Sequence, residues 1–133
     1  MMTNKYLTDI GLKENEIGTN FVSDNDKRAP QWEEERKTYG FDQRETWNLD
    51  QQFAQWLYSR LCMFEEVTIA DTTKTKITID EKEYTQEECL NIIKDACKTY
   101  MLIDIWSDEF ENAVTKMEQA MVIWGKILPA MWW

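Results

Sequence analysis

The sequence predicts a mainly α protein, a three-helix bundle core with a small β-hairpin or extended excursion between its first two long helices. Three observations carry that prediction. Apolar residues recur at helical spacing in three long segments, β-branched residues alternate in one short stretch between the first two of them, and a capping box stands at the start of the second. At 133 residues, 43% hydrophobic and 13% aromatic, the chain supplies one core and is too short for two full domains, so a single domain over 1–133 is expected.

Residues 1–30 are polar and scattered, without sustained periodicity, and read as a loosely ordered arm or one draped over the core. The helical core is expected over 31–133. Pro30 suits the first turn of a short helix through Trp32 and Arg36, and Gly40 ends it. The first long helix should begin at Asn48, a capping residue with Gln51 three positions on, and continue to about Glu66. Its expected buried stripe is Leu49, Phe53, Trp56, Leu57, Leu61 and Phe64.

From Val67 to Thr85 the pattern becomes β-branched, with Val67, Ile69, Ile77 and Ile79 around a polar turn. An isolated hairpin is marginal in water, so these isoleucines must lean on helices. Thr85 and Glu88 form a capping box for the second long helix, whose apolar side is Cys89, Ile92, Ile93, Ala96, Cys97, Tyr100 and Ile103. Ser107, followed by Asp108, Glu109 and Glu111, suits the positive end of a third helix with the stripe Phe110, Val114, Met117, Met121, Trp124 and Leu128.

Chemistry is sparse. Histidine is absent, which removes the usual general base near neutral pH and the Ser-His and Cys-His pairs. Four glycines form no phosphate-cradling motif. Asp104, Asp108 and Glu111 would share a face and could hold magnesium if the second and third helices were continuous; Ser107 and its cap argue instead for a charged helix start. Cys62, Cys89 and Cys97 are an odd number without C-x-x-C spacing and read as buried, reduced thiols. No catalytic, metal or cofactor residue is therefore assigned.

The formal charge of −10 opposes contact with a phosphate backbone and favours a basic protein surface. The acids are spread along the chain, so either a nucleic-acid mimic or plain solubility accounts for them. No apolar run is long enough to cross a bilayer, and a reducing cytoplasm is the expected setting. Trp132 and Trp133 either anchor in a partner's pocket or close the end of the bundle. Trp47, just before Asn48, fits a hydrophobic staple, and Arg44 is placed to pair with Asp50; the two residues are also candidates for a binding site.

The stretch from Gly40 to Asp50, with Phe41, Arg44, Thr46, Trp47 and Leu49, followed by Phe53, Ala54, Trp56, Leu57, Arg60 and Leu61, resembles a group of small proteins of tailed phages and prophages of Gram-positive bacteria, with the core G-F-x-x-R-x-T-W-x-L-D. The Thr85–Cys89 helix start and the terminal Leu128–Trp133 segment are similar to that group as well, and the likeness covers residues 40–133. It implies a phage gene acting in the cytoplasm of a bacterial host and brings no catalytic residues with it. The expected function is a non-enzymatic accessory protein that binds a host or phage protein, such as an inhibitor of a defence or nucleic-acid enzyme. A virion or assembly component and a metal-dependent nucleotide-acting enzyme are the alternatives, and the oligomeric state stays open.

Overall fold

In the computed structural model, which describes residues 1–132, the chain is mainly helical with one two-stranded antiparallel hairpin. The elements in order are α1 (Lys5–Asp9), α2 (Ala29–Tyr39), α3 (Leu49–Val67), β1 (Lys76–Ile79), β2 (Lys82–Thr85), α4 (Gln86–Leu102) and α5 (Phe110–Ile127), with short 3-10 turns at Glu14–Glu16, Gln43–Thr46 and Leu128–Ala130. Backbone contacts divide the chain into two compact units, Met1–Trp56 and Leu57–Trp133. Among the described residues no helix is long and apolar enough to cross a membrane.

In the first unit, residues 1–30 bury Leu7, Leu12 and Ile17 despite their lack of periodicity. Two glutamines of α3 stitch this segment down. Gln55 accepts a hydrogen bond from the Gly18 N–H at 2.8 Å and donates to the Glu16 carbonyl at 2.8 Å, while Gln52 donates to the Gly18 carbonyl at 2.7 Å. Gly18 sits at φ +54°, a left-handed conformation that selects glycine, while the nearby Met2 side chain is flexible enough to give way. Helix α2 starts with proline in its first turn and ends where Gly40, at φ +85°, donates its N–H to the Arg36 carbonyl. That left-handed stop turns the chain back toward the helix.

Helix α3 begins directly after Asn48, which takes φ +53°, a left-handed conformation that a short polar side chain tolerates. Its buried line differs from the expected stripe. Ala54, Leu57 and Leu61 are buried, whereas Leu49, Phe53 and Trp56 remain exposed. The inward face is narrower than hydropathy suggests because the small Ala54 and the polar Gln55 and Ser59 occupy it.

In the second unit, the hairpin pairs Ile77 with Tyr84 and Ile79 with Lys82, and β2 runs directly into α4. Val67 belongs to α3 and Ile69 is exposed, so neither joins the strands as expected. Ile79 is buried, and β1 packs on α5 while β2 packs on α4. The capping box at Thr85 forms as expected: Thr85 Oγ1 accepts from the Glu88 N–H at 3.1 Å, and Glu88 Oε1 accepts from the Thr85 N–H at 3.2 Å. Cys89, Ile93, Ala96 and Cys97 are buried beneath it, joined by Leu90 and Met101.

Helix α5 packs along α4, and its buried line is Ala113, Ala120 and Ile127, three positions seven residues apart. The expected stripe lies beside this line: Phe110, Val114, Met117, Met121 and Trp124 are half-buried, and Leu128 is exposed. Alanine lets the helix backbones approach, and the larger residues then flank the contact instead of filling it. Lys116 of α5 pairs with Asp95 and donates to Thr99 Oγ1 at 3.2 Å, while Lys94 of α4 meets Glu65 of α3 at 2.6 Å.

Candidate functional site

Asp42 follows the Gly40 turn and caps the 3-10 segment Gln43–Thr46, accepting the Arg44 N–H at 3.0 Å. That position aims its carboxylate at two guanidinium groups. Arg44 donates through Nε at 2.9 Å and Nη2 at 2.8 Å, and Arg36 of α2 donates through Nη1 at 2.6 Å. Asp42 is 2% exposed, and its hydrogen bonds from Arg44, followed by that from Arg36, hold its carboxyl down at about 2 against the cost of burial. The partner expected for Arg44 was Asp50; the structure gives it Asp42, because the capping geometry brings the nearer carboxylate into its plane.

The aromatic side of this network is equally closed. The Arg44 guanidinium lies 4.4 Å from the centre of the buried Trp32 ring, and Arg28, clamped by Asp26, lies 5.0 Å from Trp32 and 5.3 Å from Trp47. Trp32 and Trp47 meet edge to face at 6.0 Å, and Phe21 packs on Trp47 at 6.2 Å. Arg44 and Trp47 thus hold residues from α2, the arm and the start of α3 together by charge-assisted hydrogen bonds and cation–π contacts. A pocket of about 280 Å³ opens beside them, lined by Arg36, Arg44, Asp24, Glu45, Asn20 and Met2 among others. Charges of both signs line it, with Arg36 and Arg44 against Asp24, Asp42 and Glu45.

The second unit presents a different surface. Asp104 and Ser107 shape the link between α4 and α5: Asp104 accepts the Trp106 N–H at 2.9 Å through Oδ1, and Ser107 accepts the Glu109 N–H at 3.1 Å through Oγ. The two helices are interrupted as expected, but α5 starts at Phe110, three residues beyond Ser107, with Glu109 in the N-cap position and no side-chain cap. Among the described residues no group of three or more Cys, Asp or Glu side chains is arranged to hold a metal ion, Asp104, Asp108 and Glu111 included. The chain matches no family model, no curated protein sequence and no solved structure.

Large apolar side chains stand out from this unit. Trp132 is 81% exposed, next to the exposed Leu128, while Trp133 lies outside the described residues. Trp106 is 87% exposed and Ile105 is 58% exposed, both in the α4–α5 link. This pair falls between the helices expected from the sequence, the second extending through Ile103 and the third beginning at Ser107. The available signal was an isoleucine and a tryptophan inside a three-residue linker that belongs to neither stripe.

The thiols fit the reading of packed cysteines in part. Cys89 and Cys97 are buried and Cys62 is half-buried. Burial pushes the Cys97 thiol up to about 12, and desolvation raises Cys62 and Cys89 too, with Glu88 adding to the rise at Cys89.

Proposed function

We propose that this chain is a non-enzymatic accessory protein of a tailed phage or prophage that acts in the host cytoplasm by binding another protein. The observation that carries the reading is the exposure of Trp132 and Trp106 in the second unit, since large aromatic side chains held in solvent are characteristic anchors of protein interfaces. The charge of −10 supports a basic partner surface and disfavours direct contact with nucleic acid. The G-F-x-x-R-x-T-W stretch supports the phage setting, in which an inhibitor of a host defence or nucleic-acid enzyme is the expected role. The reading also takes the second half of α3 with α4 and α5 as a three-helix bundle, supported by the α4–α5 packing and the Lys94–Glu65 pair.

Affinity capture from bacterial lysate at low and moderate salt, followed by reconstitution with the purified candidate, tests this. One stoichiometric partner that rebinds in purified form is expected; recovery of none at either salt overturns the reading. Exposed Leu128 and Trp132 favour a second reading, an assembly component that self-associates through its aromatic end. Light scattering separates the two, because large assemblies belong only to the second.

A further inference from the structure

Between Leu102 and Glu111 the chain carries Asp104, Asp108, Glu109 and Glu111 and no lysine or arginine. All four acids are exposed, and so are Leu102, Ile105 and Trp106. The link thus carries exposed apolar side chains in a segment whose charged residues are all acids. It is also fixed in shape: besides the bonds to Asp104 Oδ1 and Ser107 Oγ, the Ser107 N–H donates to the Asp104 carbonyl at 2.9 Å, and the Phe110 N–H donates to the Ser107 carbonyl at 3.1 Å. Two successive turns therefore fix the backbone of the link, so it forfeits little backbone freedom on docking.

We propose that this link is a protein-docking element, with Trp106 its anchor, and that the occupant is a protein surface presenting an apolar cleft flanked by lysine or arginine side chains. The proposal rests on the protein-binding reading above and names its surface. Charge decides the class of occupant. A neutral apolar cleft would have to cover four carboxylates without compensation, an anionic membrane or nucleic acid would repel them, and a second copy of the link would set like charges against each other. Cations around a cleft satisfy both parts of the surface at once, with the acids steering the encounter and Trp106 supplying the buried area.

The test uses the full chain and two synthetic amphipathic helical peptides, one with a leucine face bordered by lysines and one with the same leucines bordered by glutamates. Binding is followed by NMR amide shifts. The lysine peptide should bind with shifts concentrated in residues 102–111, weaken as salt rises, and lose about 30-fold in affinity with Trp106→Ala. Because that substitution leaves the charge intact, it separates anchoring from general attraction to an acidic protein. Tyr39→Ala, which removes another exposed aromatic, should bind as wild type. Shifts centred elsewhere, unchanged affinity in Trp106→Ala, equal binding of the glutamate peptide, or a Trp106-dependent dimer would each overturn the assignment. Lysate capture that still recovers a partner in that event leaves the broader protein-binding reading in place and shows that only the surface was misassigned.

Discussion

The Arg44 guanidinium lies 4.4 Å from the centre of the Trp32 ring while its fork grips Asp42 at 2.9 and 2.8 Å. A flat, delocalised cation can do both at once; a lysine ammonium cannot. Arg44→Lys should therefore lower stability by about 1–3 kcal/mol although charge is kept, read as a lower urea midpoint with an unchanged slope. A midpoint equal to wild type would mean that the stacked fork contributes nothing.

The same ion pair sets a pH dependence. The folded carboxyl of Asp42 titrates at about 2, below its ordinary value of 3.8, so its contribution is present above about pH 4 and is lost as pH falls toward about 2. The gap corresponds to about 2 kcal/mol. Asp42→Asn should flatten the acid limb of a stability-against-pH curve in that window and be less stable than wild type at neutral pH. An unaltered acid limb would contradict the assignment.

Thiol reactivity should follow burial. At pH 8 in the native state, iodoacetamide is expected to modify Cys62 first, because it is half-buried, while Cys97, raised to about 12, stays protected until the chain unfolds. Mass spectrometry of the alkylated peptides checks the order, and rapid native labelling of Cys97 would contradict it.

The hairpin turn is a site where stability can be gained. Asp80 and Glu81 take φ +49° and +67°, the pair of left-handed conformations that suits a two-residue hairpin connection. Glutamate is poorly suited to that region, whereas glycine is at home there. Glu81→Gly should raise stability by about 1 kcal/mol, visible as a Tm higher by several degrees. A fall in Tm would place the cost of the turn elsewhere.

Elements with local chemical signatures were legible in the sequence. Thr85 with Glu88 and Gly40 are such cases, since a cap or a left-handed stop depends on one or two residue types at fixed positions. The helix faces were less so. Alanine carries little hydropathy, so the line through Ala113 and Ala120 was hidden behind the larger Val114, Met117 and Met121, and in α3 the polar Gln55 is buried while Trp56 is not. Leu7, Leu12 and Ile17 have no helical or strand period because they bury from separate turns, stitched down by Gln52 and Gln55 from more than thirty positions away. At the candidate surface the acids were legible and the exposure of Trp106 was not, since composition alone does not say which of seven tryptophans is left outside.

The hairpin flows into α4, and α4 turns back through a short link into α5, so successive elements are also neighbours in space; the contact of β1 with α5 and the Lys94–Glu65 pair between α4 and α3 reach further. Chains wired between sequence neighbours close small loops at each step of the search. Refolding of residues 57–132 within the whole chain should thus occur on the microsecond-to-millisecond scale typical of helical topologies.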